Sequence, residues 1–150
     1  MFSKRNAKQQ ANKATRPDVC KILASVQGAF VELRCYQVGE PVFASLSREF
    51  PGAFGLWDFH PGSEEGVYKI RNVGLDLFIV AKRDGQLVVA PGGDPTEFRV
   101  QPASDNVVLI KLAQEDKVWT MSGKGARQEV SLEGANGSVE QKFIQLVVDA

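Results

Sequence analysis

The chain has 150 residues, room for one domain, which at this length buries about 70% of the surface its unfolded chain would expose. Its 18 basic and 18 acidic side chains cancel, which argues against a large electropositive surface for nucleic acid. Cys20 and Cys35 are too few for a disulfide framework and have no Cys-x-x-Cys spacing or second ligand type nearby, so they read as thiols of a reducing, cytoplasmic compartment that hold no metal or cofactor.

Residues 1–27 read as a basic extension. Lys4, Arg5, Lys8, Lys13 and Arg16 all precede the first acid, Asp18, and large apolar groups are scarce before "CKILASV" at 20–26. This composition suits a disordered arm, with "CKILASV" as a short helix or the lead into the first strand. The basic residues have no apolar h-region behind them, and no apolar run reaches the ~20 residues of a membrane span. A domain over 28–150 is therefore expected, with no membrane partner.

From Gly28 onward the chain is a succession of short β-type runs punctuated by Gly, Pro, Asp and Asn. In order they are "GAFVELRCY", "PVFAS", "LWDF", "VYKIRN", "LDLFIVAK", "QLVVA", "EFRVQ", "NVVLIKL", "KVWTM", "QEVSL" and "KFIQLVV". The runs recur. Trp57, Phe98 and Phe143 head similar strands 41 and 45 residues apart, and the strands that follow the first two start 40 apart. Phe78 and Trp119 lie 41 apart, while Gln86 and Gln128 align the next runs. Three such units, the first shortened so that its third strand is reduced to something around "REF" or is missing, fit an all-β fold of the β-trefoil type, in which closure removes exposed sheet edges. Trp57, Phe98, Phe143, Phe78, Trp119, Ile70 and Ile110 are the expected core.

Catalytic chemistry finds little support. His60 stands in a Pro-Gly turn as a solvated loop residue, and Glu64 and Glu65 in "GSEEG" are adjacent acids that point apart. "SGKGAR" at 122–127 lacks the Walker spacing. No Gly-x-Ser-x-Gly elbow occurs and neither cysteine has a nucleophile signature, so the protein is expected not to be an enzyme. "EQKF" at 140–143 has the Gln-x-aromatic form of ricin-type lectin trefoils, where it largely serves the fold; here it occurs once.

"EEGVYKIRNVG", "PTEFRVQPASDNVVLIKLAQEDKVW", "QEVSL" and "EQKFIQLV" together resemble the fungal β-trefoil serine-protease inhibitors of the cospin and cnispin type, over roughly residues 57–148. The resemblance implies a monomer that blocks a trypsin-like serine protease with an exposed, substrate-like loop, a glycan being the alternative partner. In that family the inhibitory residue can follow the second strand of the first repeat, which places it in "SLSREFPG" at 45–52, or lie between the first two repeats, where "HPGSEEG" has no basic residue. A protease with an aspartate in its specificity pocket takes Arg or Lys. The candidates are accordingly Ser47, Arg48 and Glu49, with Lys82 and Arg83 of "AKRDG" and Arg127 of "SGKGAR" in loops read as equivalent.

Overall fold

The computed structural model describes residues 18–91 and 93–148. Twelve strands follow one another: β1 (Asp18–Val26), β2 (Ala29–Arg34), β3 (Phe43–Ser45), β4 (Trp57–Pro61), β5 (Val67–Asn72), β6 (Leu77–Ala81), β7 (Leu87–Val89), β8 (Glu97–Ser104), β9 (Val107–Leu112), β10 (Val118–Ser122), β11 (Arg127–Glu133) and β12 (Phe143–Val147). Single 3-10 turns occupy Gly52–Gly55 and Val139–Gln141.

Six strands close a barrel. β1 pairs with β4, β4 with β5, β5 with β8, β8 with β9, β9 with β12, and β12 with β1, every pair antiparallel. The remaining strands form the hairpins β2–β3, β6–β7 and β10–β11. These hairpins join in a ring through β3–β11, Pro41–Val88 and Gln86–Ser131. Three four-strand units therefore surround a pseudo-threefold axis, and the chain is a β-trefoil.

The register shows the repetition position by position. Cys20, Tyr68 and Val108 stand opposite Trp57, Phe98 and Phe143. Two residues further along each first strand come Ile22, Ile70 and Ile110, so both sets of three face the barrel interior. Trp57, Phe98, Phe143, Ile22, Ile70 and Ile110 have no exposed surface, each contributing about 1.5–3 kcal/mol by burial. Trp119, also fully buried, sits edge-on to Phe98 and Phe143, with centroids 5.3 and 5.9 Å away. The opening of β9 shows how a proline is tolerated: the ladder shifts register between Pro102 and Ser104, and Asn106 completes the two-residue turn at φ 59°.

Three expectations are corrected. The boundary at residue 28 falls inside the first hairpin, because Asp18–Val26 is a barrel strand whose Cys20, Ile22, Ala24 and Val26 are wholly buried. Gln27 and Gly28 are the turn that follows, both at positive φ. In "CKILASV" Lys21 and Ser25 alternate with the inward Cys20, Ile22, Ala24 and Val26, but Leu23 interrupts the outward face and the run is short, so its period of two is easily missed. Residues 1–17 of the expected arm lie outside the described residues. With β1 counted, the first repeat has all four strands and is not shortened; "REF" belongs to a long connection between β3 and β4. Finally, Phe78 is half-buried against His60 (5.3 Å between centroids), and its neighbour Ile79 takes the core position.

Candidate functional site

The β3–β4 connection, residues 46–56, is the largest departure from threefold symmetry. Both ends are fastened. Leu46 packs on the core and donates its N–H to the Ala126 carbonyl at 2.8 Å. Pro51 is buried and caps the Gly52–Gly55 turn, whose Phe54 carbonyl accepts from Cys35 N (3.1 Å) and Asn72 Nδ2 (3.0 Å). Gly74 is required beside it, because a Cβ there would lie 2.5 Å from the Phe54 ring. Between these anchors Ser47, Arg48, Glu49 and Phe50 are exposed, Phe50 by 82%.

A buried cation supports the exposed segment from beneath. Arg34, only 3% exposed, donates Nε to the Glu32 carbonyl (3.3 Å) and Nη1 to the Glu49 carbonyl (3.3 Å) and the Tyr36 hydroxyl (3.5 Å). Burial makes an Arg costly unless it is hydrogen-bonded, so these contacts explain its position. Tyr36 lies edge-on between Phe43 and Phe54 at 5.8 and 5.7 Å. Burial raises its pKa, and a hydrogen bond to the Glu49 carboxylate raises it further; the hydroxyl therefore stays protonated at neutral pH. Within the segment, Ser45 Oγ accepts from Ser47 N (3.1 Å) and Ser47 Oγ from Glu49 N (3.4 Å). Such pre-ordering lowers the cost of immobilising side chains on binding, about 0.5–1.5 kcal/mol each.

The fold brings Arg127 to this loop and keeps Lys82 and Arg83 apart from it. Arg127 pairs with Ser45 across β3–β11, its guanidinium 3.8 Å from the Phe43 ring centroid. Lys82 and Arg83 occupy the β6–β7 turn, closed by Gly85 N to Lys82 O and Lys82 N to Gln86 O, both 2.9 Å. They line a separate hollow with Thr96, Glu115 and Lys117. The hairpin loops "AKRDG" and "SGKGAR" are equivalents of residues 35–42, not of 45–52, because β1 is the first strand of its unit and β2–β3 its hairpin. The loop after the second strand is consequently "CYQVGEPV", which has no basic residue. It is held by Gly39 N to Val89 O (2.7 Å), Val42 N to Leu87 O (2.9 Å) and Glu40 N to Gln37 O (3.2 Å), with Val38 51% exposed at its tip. The buried Cys35 thiol lies 3.4 Å from the Gln37 carbonyl, and burial raises its pKa, which keeps it a poor nucleophile.

Other singled-out residues serve the architecture. Gln141 of "EQKF" is 1% exposed and receives Asn136 N at 2.8 Å while donating to Gly134 O (2.8 Å) and Thr120 Oγ1 (3.1 Å). Gln141→Ala is expected to cost about 1–3 kcal/mol, read as a lowered urea midpoint. His60 is in β4, not a solvated turn, with Nε2 3.8 Å from Asp58 Oδ2. Glu64 pairs with Arg99, while Glu65 is exposed. Among the described residues no three His, Cys, Asp or Glu side chains are grouped to hold a metal, and no helix is long and apolar enough to cross a membrane.

No family model matches the sequence, and no curated protein matches it. Solved structures do. A designed threefold-symmetric protein, ThreeFoil, superposes with TM-score 0.71 at 15% identity, over 87% of this chain and 99% of that one. A Polyporus squamosus lectin bound to a sialylated epitope gives 0.68 at 18% identity, over 87% of this chain and 49% of the lectin. A proteinase inhibitor from Coprinopsis cinerea gives 0.66 at 11% identity, over 89% and 99%. At such identities the likeness is one of architecture, and it agrees with the closed barrel and its three hairpins: the chain has the β-trefoil fold that these proteins share.

Proposed function

We propose that the protein is a non-enzymatic serine-protease inhibitor, monomeric and cytoplasmic, that offers Ser47, Arg48 and Glu49 to a trypsin-like enzyme. The observation that carries this reading is the buried Arg34 guanidinium on the Glu49 carbonyl. Arg48 enters the specificity pocket, where a carboxylate pairs with it, and the enzyme's serine attacks the Arg48 carbonyl carbon. When the Arg48–Glu49 bond breaks, Arg34 and Tyr36 keep the Glu49 amine close to the acyl-enzyme. The held amine has a high effective concentration, so the bond re-forms faster than water cleaves the ester. Arg34→Met is therefore expected to hasten cleavage after Arg48 at least tenfold, followed by mass spectrometry of the clipped chain under trypsin.

A second reading rests on residues 35–42, the loop that follows the second strand. Its tip residue, Val38, is a small apolar group suited to an elastase-like pocket and unsuited to trypsin. Titration against trypsin and elastase, with a glycan array in parallel, separates the readings. Trypsin slowed at micromolar protein supports the Arg48 loop; inhibition of elastase alone supports the Val38 loop. Glycan binding with neither protease slowed replaces both with a lectin.

A further inference from the structure

We infer that the outer face of β2, β1 and β12 is a second contact surface for the protease engaged at Arg48, one that takes an apolar strip beside the enzyme's leaving-group side. This rests on the inhibitor reading above. The register sets the residues side by side. Leu23 of β1 stands between Glu32 of β2 and Ile144 of β12, Lys21 stands beside Leu146, and Ser25 beside Phe30. Cys20, Ile22, Ala24 and Phe143 turn inward, so Lys21, Leu23 and Ile144 turn outward.

The resulting face carries Phe30, Leu23, Ile144 and Leu146 as an apolar band, crossed by Lys21 and Glu32, whose side chains pair at 3.9 Å. Phe30 is 41% and Leu146 37% exposed. Three adjacent strands at about 4.8 Å spacing make it roughly 10 Å across. The band also runs into the candidate loop. A hollow of about 300 Å³ is lined by Leu23, Phe30, Val31, Glu32 and Arg34 on the strand side and by Ser47 to Phe50 on the loop side. Phe50, two residues beyond Arg48, lies over Lys21 with Nζ 6.0 Å from its ring centroid.

Continuity with the Arg48 loop names the protease as the occupant, and size requires the extension. A tight protease–inhibitor interface covers about 800 Å² per partner with roughly 20–30 residues a side. Four exposed loop residues cannot cover that area. The surface continuous with them on the leaving-group side of the Arg48–Glu49 bond is this band, and large apolar side chains beside a polar rim are what such interfaces bury at their centres. Selectivity follows: among enzymes that accept Arg48 equally, those with an apolar strip next to the leaving-group subsites bind tighter than those with charges there.

The test uses the full chain and trypsin. Phe30→Ser and Leu146→Ser, singly and together, are compared with the unaltered protein for inhibition constant, association rate and thermal midpoint. The double variant is expected to stay folded with a lowered midpoint, because both side chains are more than half buried, and to keep its association rate, with an inhibition constant at least tenfold higher through faster dissociation. Glu140→Ser, an exposed change outside the band, is expected to alter none of these. An unchanged inhibition constant in a folded double variant overturns the second surface and leaves Arg48 in place. If the unaltered protein does not inhibit, the inhibitor reading fails and takes this surface with it.

Discussion

Arg48→Ala is expected to weaken trypsin inhibition by about 30- to 5,000-fold. The range corresponds to about 2–5 kcal/mol, the cost of truncating one partner of a buried, hydrogen-bonded charge pair, much of it from the protease carboxylate left unpaired. Arg48→Lys keeps a positive charge at the end of the side chain and is expected to stay within about tenfold, losing the bidentate geometry. Neither change should disturb the fold, because Arg48 is exposed between anchors that lie elsewhere, at Leu46, Pro51 and Arg34. Surface substitutions of this kind are usually within about 0.5 kcal/mol. Tight-binding titration with an active-site-calibrated protease measures the effect, and a thermal melt of each variant checks the scaffold. Trypsin inhibition that survives Arg48→Ala would remove this loop from the interface, and Arg127, beside it on β11, would be the next residue to replace.

A chain begun at Ala29 is expected not to fold. It lacks β1, and with it the wholly buried Ile22, Ala24, Val26 and Cys20 and the ladders to β2, β4 and β12. Losing the burial of Ile22 and Val26 alone removes about 3–6 kcal/mol, out of a total that for a domain is typically about 5–15 kcal/mol. The opened barrel would also leave unpaired edges on β4 and β12. A chain begun at Pro17 keeps β1 and is expected to unfold cooperatively. Urea titration followed by tryptophan fluorescence reads both, since Trp57 and Trp119 are fully buried. Cooperative unfolding of the chain begun at Ala29 would show that β1 is dispensable.

Whether β1 belongs to the barrel decides more than a boundary. Without it a complete repeat looks shortened, and the equivalence of loops shifts by one strand, so that "AKRDG" and "SGKGAR" align with 45–52. The strand is hard to see because Leu23 breaks the alternation of Lys21 and Ser25 with Cys20, Ile22, Ala24 and Val26, and a polar, basic stretch precedes it. Its membership is set by pairing with three other strands, one of them at the opposite end of the chain. Phe78 was misplaced for a related reason: "LDLFIVAK" is apolar at nearly every position, and only packing chooses Ile79 for the interior. Arg34, by contrast, gave no signal at all. In "ELRCY" it reads as an ordinary outward charge, and its burial makes sense only once the Glu49 carbonyl, 15 residues on, and Tyr36 are seen around it.

By itself the amino-acid sequence determined the all-β class, the recurrence near 40 residues, and the aromatic and isoleucine positions that fill the barrel, because alternation and spacing are local properties that burial enforces one strand at a time. Only the tertiary structure decided which strand opens the barrel, which loops are equivalent, that Arg127 stands beside the Arg48 loop while Lys82 and Arg83 do not, and that a buried guanidinium holds that loop. Those facts depend on contacts between residues far apart in the chain, and in a barrel closed by its first and last strands no stretch read alone contains them.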